Sequence, residues 1–231
     1  NGESAGTEAY RYRAEAIEIQ LVEKGGAAPG STANRFIVRE EPILSYSSHI
    51  QNEGWQNYVS DGALSGTVGE SKRLEAIKVR LDTQPYEGAV AYCADVQGLG
   101  WQGWSQNDIL TGTTGMGKYL EAVKIKLTGE MAEYYDIYYR VHTQNYGWLD
   151  WAANGAAAGT EDYDYRIEAV EIKIVPKGEA APGNTSRAFV KKPSFVLGPN
   201  WTVEQGYFQA TSGIRYYVGG SYIIVSIAQQ K

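Results

Sequence analysis

The sequence contains few of the residues on which several common functional classes depend. It has one cysteine, Cys93, and two histidines among 231 residues. A single cysteine excludes intrachain disulfides, and one cysteine with two histidines is too few for a zinc site of the usual kind. We therefore expect no metal and no cofactor.

Long apolar runs and basic clusters are also missing. No run approaches the roughly 20 apolar residues of a membrane span. The net charge is −6 with a pI near 5.1, so nucleic acid and an anionic membrane are poor candidates as partners. A hydrophobic content of 43% with 21% charged residues is typical of a soluble globular protein.

Phenylalanine is scarce, whereas the other aromatic residues are abundant. There are four Phe against 18 Tyr and six Trp. Tyr and Trp combine an apolar body with a polar tip, which suits half-buried surfaces and contact sites. The composition therefore indicates a protein that uses aromatic residues at its surface as well as in its core.

One short pattern occurs three times, with a period of 46 and then 47 residues. A Gln stands four residues before the Trp of a Gly-Trp pair, and a second aromatic residue follows that Trp by three. A Gly-Thr pair comes next, and then Glu-Ala-Ile/Val in an apolar run. Such a period indicates a repeat protein. The Gln, Trp, second aromatic and Glu are Gln51, Trp55, Tyr58 and Glu75, then Gln97, Trp101, Trp104 and Glu121, then Gln144, Trp148, Trp151 and Glu168.

The N-terminal residues match the back half of the third repeat at a constant offset, with Glu15 at the position of Glu168. We therefore predict a half repeat at 1–38 that ends a preceding triplet, and a complete triplet at 46–190. Residues 193–231 do not match the repeat, and we predict a β-rich tail there. The three repeats of the triplet are predicted at 46–82, 92–128 and 138–190.

The alternation of side chains predicts an all-β fold. Leu74 to Leu81 places Glu75, Ile77 and Val79 on one face and Lys78 on the other, and similar runs occur in each repeat. We expect the Gly-Trp and Gly-Thr pairs at turns between strands. Three similar units predict a closed pseudo-threefold body, since closure removes exposed sheet edges. The pattern leaves open a β-prism or a β-trefoil.

The repeated aromatic residues allow two interpretations. An exposed Trp beside amides and carboxylates provides what a sugar site needs, namely a ring face and hydrogen-bonding forks. Repetition in every unit instead favours a shared core, so we expect Trp55, Trp101 and Trp148 to be structural core residues. The ligand-binding candidates are the second aromatics Tyr58, Trp104 and Trp151, with Gln51, Gln97, Gln144, Asp61, Asn107 and Asn154.

The repeated Glu lies on the predicted apolar face of its strand, where a carboxylate is costly. An Arg precedes it by two residues in all copies but the middle one, which has Tyr119. We therefore expect Glu15, Glu75, Glu121 and Glu168 to be structural carboxylates that are paired within the fold. No catalytic constellation emerges, and we expect no enzyme.

With Gln-x-x-Gly-Trp, Gly-Thr and Glu-Ala-Ile/Val spaced in this way, the chain resembles the clostridial hydrophobic repeat family, whose members carry a Gly-Trp dipeptide (ChW repeats). The resemblance covers 46–82, 92–128 and 138–175, with a half repeat at 1–22. It implies secreted or surface-attached proteins of Gram-positive bacteria, with proposed roles in adhesion and in binding polysaccharides or proteins. It supplies no ligand residues.

Two functions are compatible with these features. The first is a non-catalytic extracellular or cell-surface adhesion module that binds carbohydrate or a surface protein. The second is a structural subunit of an extracellular filament or surface layer that assembles into a head-to-tail homopolymer. The uncharged, β-prone run Ser221 to Ala228 is expected to fill the strand position beside the half repeat. Within its own chain it would close the body, and in a neighbouring chain it would join the subunits of the polymer.

Overall fold

The computed structural model describes residues 4–8, 17–31, 36–38, 42–193, 201–204, 207–210 and 215–217. The chain divides into two compact units, 1–191 and 192–231. The candidate structural residue Glu15 and the predicted donor run Ser221 to Ala228 lie outside the described residues. In the described part of the chain, no helix is long and apolar enough to cross a membrane.

The first unit begins with Gly6–Glu8 (β1) and Phe36–Val38 (β2), which pair in parallel. Three repeats follow, and each contains two long antiparallel strands with three short ones between them. The first repeat has Leu44–Ile50 (β3), Gly54–Trp55 (β4), Val59–Ser60 (β5), Ser65–Gly66 (β6) and Leu74–Leu81 (β7). The second has Gly88–Val96 (β8), Gly100–Trp101 (β9), Ser105–Gln106 (β10), Thr111–Gly112 (β11) and Leu120–Gly129 (β12).

A one-turn helix, Met131–Tyr134 (α1), leads into the third repeat. That repeat has Tyr135–Thr143 (β13), Gly147–Trp148 (β14), Ala152–Ala153 (β15), Ala158–Glu161 (β16) and Ile167–Pro176 (β17). Phe189–Lys191 (β18) then pairs in parallel with β16. The second unit contains a three-stranded antiparallel sheet of Trp201–Glu204 (β19), Tyr207–Ala210 (β20) and Arg215–Tyr217 (β21).

The three repeats are joined by a cyclic exchange of short strands. Strand β11 of the second repeat pairs with β7 of the first, and β16 of the third pairs with β12 of the second. Strand β6 of the first repeat closes the cycle on β17 of the third. The described strands of the triplet form three sheets and no closed barrel. The predicted all-β, prism-like fold is confirmed.

The Gly-Thr pairs make this exchange possible. We expected them at turns, but the glycines Gly66, Gly112 and Gly159 lie in the exchanged strands. At Gly112, φ is +105°, and an ideal Cβ would lie 2.4 Å from the carbonyl oxygen of Glu75 in the neighbouring repeat. Only glycine fits both the backbone conformation and the close approach of the two strands.

The core between the three sheets is built around one tyrosine from each repeat. Tyr46, Tyr92 and Tyr139 are no more than 1% exposed. Each donates its hydroxyl hydrogen to a carbonyl 17 residues further on; for Tyr92 the acceptor is Ile109 O at 2.5 Å. The Tyr46 hydroxyl also accepts a hydrogen bond from Ile172 N in the third repeat at 3.1 Å. Burial raises the pKa of Tyr92 to about 12.

The expectation that the Gly-Trp tryptophans form the core is wrong. Trp55 is 38% exposed, and Trp101 and Trp148 are half-buried. The reason is strand parity. Trp55 is paired with His49 across β3 and β4, and His49 alternates with core-facing neighbours on β3, so the ring lies on the outer face of the sheet.

Candidate functional site on the outer sheet faces

In the first repeat, cationic side chains cover aromatic rings on the outer face. The Lys78 ammonium lies 4.6 Å from the centroid of the Trp55 ring, and the Arg80 guanidinium lies 3.9 Å from that of Tyr58. Both cations come from β7, whose alternation turns them outward. Such contacts contribute about 0.5–1 kcal/mol each at exposed sites.

The second repeat repeats this arrangement with two tryptophans. Lys124 lies 4.0 Å from the centroid of Trp101, and Lys126 lies 4.3 Å from that of Trp104. Trp104 is 46% exposed, so part of this ring remains open to solvent beside an ammonium group. Of the three second aromatics, it is the one that the structure leaves available to a ligand.

The third repeat reaches a similar arrangement by another route. Glu171 occupies the position of the stacking lysine, and Arg140 on the adjacent strand lies 4.6 Å from the Trp148 ring and 4.9 Å from that of Trp151. Arg140 Nε donates to Glu171 Oε2 at 2.7 Å. In this repeat the cation that lies over both tryptophan rings therefore comes from β13, the first long strand of the repeat.

Two of the predicted contact aromatics are not free. Trp151 is only 8% exposed, because the segment after β17 packs on it; Trp151 N donates to Asn184 O at 2.8 Å. Tyr58 is half-buried, and its hydroxyl donates to the Asp108 carboxylate of the second repeat. Burial and Asp108 raise the pKa of Tyr58 to about 12. The prediction of Trp151 as a ligand contact is wrong, and Tyr58 has a role at the junction between repeats.

The polar candidates mostly shape turns. Asp61, Asn107 and Asn154 have φ of +53°, +37° and +50°, a left-handed conformation that Asn and Asp tolerate best among non-glycine residues. Asn107 Oδ1 accepts from Val90 N at 3.3 Å, and Asn154 Oδ1 accepts from Ile137 N at 3.0 Å. The amide oxygens of Asn107 and Asn154 are thus occupied by the fold.

The glutamines that precede Gly-Trp are half-buried and fix the end of each sheet through their main chain. Gln51 N donates to Arg73 O at 3.0 Å, and the other two copies make the same bond. The equivalent pairs are Gln97 with Tyr119 and Gln144 with Arg166.

A second set of glutamines, which the sequence interpretation missed, clamps the exchanged strands. Gln56 Oε1 accepts from Gly66 N at 2.7 Å, and Gln102 Oε1 accepts from Gly112 N at 2.9 Å. The third repeat has Leu149 at this position, and there Gly159 N donates to Ala188 O just before β18. The available signal was the Trp-Gln dipeptide in two of the three repeats.

An open groove of about 450 Å³ runs beside the exposed ring of Trp55. Asn57 lies next to this ring and is exposed, so the groove offers an aromatic face together with an amide. This combination suits a hydroxyl-rich ligand with apolar C–H faces. The groove is lined by Trp55, Gln56, Asn57, Val59, Leu64 and Gly66.

The repeated Glu is the extra residue of a β-bulge. This explains why its side chain is buried although it does not pack in the apolar core. Ile50 pairs with Leu74 and His49 with Ala76, so Glu75 has no partner in the register. Its carboxylate lies 2.7 Å from Arg73 Nη2 and 3.1 Å from His49 Nδ1. Glu168 has the same environment, with Arg166 at 2.7 Å and His142 at 3.1 Å.

The middle repeat lacks both of these partners of the carboxylate. Asp95 replaces the histidine and Tyr119 replaces the arginine, while Glu121 remains 7% exposed. Glu121 Oε1 is buried with no hydrogen-bond partner among the described residues. Burial, and then the charge of Asp95, raise the pKa of Glu121 to about 7. In the described part of the chain, no group of three or more His, Cys, Asp or Glu residues is arranged to hold a metal ion.

Comparison with known proteins agrees with the threefold organisation. The family model described as Clostridial hydrophobic W matches residues 49–83, 96–129 and 142–176. Each match includes the whole second long strand of a repeat, together with the Gly-Trp pair. No curated protein and no solved structure matches the chain. Through these three tandem repeats, the chain belongs to the Clostridial hydrophobic W, or ChW, repeat family.

Proposed function

We propose that this protein is a non-catalytic interaction module that binds carbohydrate through the outer faces of its first two repeats. The observation that carries the proposal is the partial exposure of Trp55 and Trp104, each beside a lysine ammonium group. A fold that needed these rings only for its core would bury them, as it buries the three tyrosines.

The chemistry of the two sites matches a sugar that carries acidic groups. The exposed part of an indole ring packs against C–H groups, whereas Lys78 and Lys126 provide positive charge beside it. Asn57 adds an amide fork for hydroxyls at the first site. The overall negative charge of the chain makes these local cations more informative than they would be in a basic protein.

The module acts at the cell surface or outside the cell in this proposal. Membership of the ChW family supports a repeat module of this kind, which is often associated with the cell surface. A polysaccharide is the preferred partner, and a surface protein is the alternative on the same outer faces.

A panel of immobilised glycans, followed by titration of the best binder, tests the proposal. Trp104→Ala and Trp55→Ala should each weaken binding roughly 3- to 10-fold, the effect of losing one aromatic contact. Leu99→Ala, at an apolar residue that is 51% exposed, is the matched control and should leave binding unchanged. Equal binding by all three variants, or no binding to any glycan, would contradict the proposal.

Self-assembly is the second candidate, favoured by the exposed apolar residues Ile17, Ile19 and Leu21. A structural subunit would form concentration-dependent polymers without any added ligand. Electron microscopy and sedimentation of the purified chain across a concentration series distinguish this outcome from a monomeric binding module.

A further inference from the structure

The N-terminal segment of the first unit reproduces the last part of the third repeat in backbone pairing as well as in sequence. In the third repeat, β16 pairs in parallel with β18, with Gly159 opposite Phe189. In the N-terminal segment, β1 pairs in parallel with β2, with Gly6 opposite Phe36. The complete third repeat therefore serves as an internal template for the contacts that this segment is built to make.

The first missing contact is at Gly6. Gly159 has φ of +128°, and its ideal Cβ position lies 2.3 Å from the carbonyl oxygen of Glu121, because β12 packs against that edge of β16. Gly6 has nearly the same φ, +122°, but no described atom lies within 4 Å of the equivalent position. The edge of β1 has the geometry for a close-packed antiparallel strand and none of the described strands occupies it.

The second missing contact is at residues 17–21. By the same offset, Ile19 corresponds to Ile172, which is fully buried where Tyr139 of β13 lies opposite it. Ile19 itself is 81% exposed, and its neighbours at alternate positions, Ile17 and Leu21, are 85% and 95% exposed. Three aliphatic side chains at strand spacing therefore face solvent where their counterparts Val170, Ile172 and Ile174 are covered by β13.

We infer that residues 17–21 are a docking site for the first long strand of a ChW repeat, the strand that corresponds to β3, β8 and β13. The template specifies the occupant: an antiparallel strand with alternating aliphatic, Tyr, and Val, Ala or Ser side chains, as in β13, β8 and β3, in the register that places its Tyr opposite Ile19. Strands β3, β8 and β13 of this chain are already paired with β7, β12 and β17, so the strand comes from a segment other than 42–193.

Strand addition of this kind would stabilise residues 17–21 in two ways. The main chain of residues 17–21 gains ladder hydrogen bonds, and the aliphatic side chains leave water. Specificity comes from the alternate side chains, because a strand shifted by one residue would present its polar side to Ile19. Carbohydrate binding at Trp104 and strand docking at Ile19 are independent, since they use different segments.

A synthetic peptide with the sequence of residues 135–143 is the probe. Added to the full chain, it should bind and slow amide hydrogen exchange of residues 17–22 by at least about tenfold. The control peptide carries Asp in place of Tyr139 and Val141 and should have no effect. In the full chain, Ile19→Asp should abolish the protection, whereas Leu99→Asp, at another exposed apolar residue, should not.

Three results would overturn the inference. Equal protection by both peptides would show nonspecific adsorption. Residues 17–22 already protected in the monomeric chain would mean that the chain covers them itself. Protection that appears without peptide, only at concentrations at which sedimentation detects dimers, would assign the surface to a second copy of the whole chain.

Discussion

The inner and outer faces of each sheet carry aromatic residues with the same period, but the two faces use them differently. Inside, Tyr46, Tyr92 and Tyr139 are buried and hydrogen-bonded to the backbone. Outside, Trp55 and Trp101 lie beside lysines and remain partly open. Repetition therefore does not distinguish a core residue from a surface residue. What does is the face of the sheet on which the side chain lies, which for Trp55 follows from its pairing with His49 on β3.

The inner face should be most sensitive where the repeats exchange strands. Gly112→Ala places a Cβ against backbone atoms of β7 at 2.4 and 2.7 Å and should cost about 3 kcal/mol or more of unfolding free energy. Gly115→Ala is the matched control: its φ is also positive, +71°, but nothing lies within 4 Å. It should lose only about 1–2 kcal/mol. If urea unfolding gave equal losses of unfolding free energy for the two variants, close packing at Gly112 would not explain its sensitivity.

The bulge carboxylates lie where the two faces meet, since His49 contacts both Glu75 and the Trp55 ring. Glu75→Gln removes the ion pair with the part-buried Arg73 and should cost about 1–2 kcal/mol at pH 7. Glu121→Gln should instead increase the unfolding free energy, because it replaces a buried carboxylate that has no partner among the described residues.

The pH dependence sharpens this contrast. The pKa of Glu121 is raised from 4.5 to about 7 in the folded state, so the folded protein binds the extra proton between these values. Stability from this group is fully present below pH 4.5 and is lost as the pH rises through 7. Glu121→Gln should therefore be more stable than the parent by roughly 1–3 kcal/mol at pH 8, with a gain that shrinks toward pH 4.5. A pH-independent difference in thermal or urea unfolding would contradict the assignment.

The tyrosine hydroxyls provide a smaller test of the inner face. Tyr92→Phe keeps the ring and removes the part-buried hydrogen bond to Ile109 O, which should cost about 0.5–1.5 kcal/mol of unfolding free energy. Tyr138→Phe, whose hydroxyl is 3.5 Å from Glu179 O near the surface, should change stability by less than about 0.5 kcal/mol. Similar values for the two variants would show that the inner hydroxyls contribute little.

Much of the fold could be predicted because the long strands carry a clear signal. Side chains predicted to face inward and outward alternate along strand β7, and the 46- and 47-residue period indicated three equivalent units. The exchange of β6, β11 and β16 could not be predicted, because strands of two to four residues are too short to show a clear alternation of side chains. Trp55 was wrongly predicted to lie in the core for the same reason: the two-residue strand β4 is too short for an alternation that would indicate which face its side chains occupy.

The candidate site was predictable only in part. Trp104 was expected to be a contact residue and its ring is 46% exposed, whereas the burial of Trp151 depends on a long-range contact with Asn184 that no local pattern indicates. The unusual state of Glu121 could have been predicted from the sequence, because the middle repeat has Asp95 and Tyr119 where the other two repeats have the histidine and arginine partners of the carboxylate.

The central claim is that the inner aromatic residues form the core whereas the outer ones lie at the surface. The unfolding free energies of Tyr92→Ala and Trp101→Ala, measured side by side in urea, test it most directly. Tyr92→Ala should cost about 3–5 kcal/mol, as expected for the loss of a buried aromatic side chain. Trp101→Ala should cost clearly less, about 1–2 kcal/mol, because the half-buried ring loses mainly its contact with Lys124 and part of its apolar burial. Equal losses, or a larger loss for Trp101→Ala, would contradict the account.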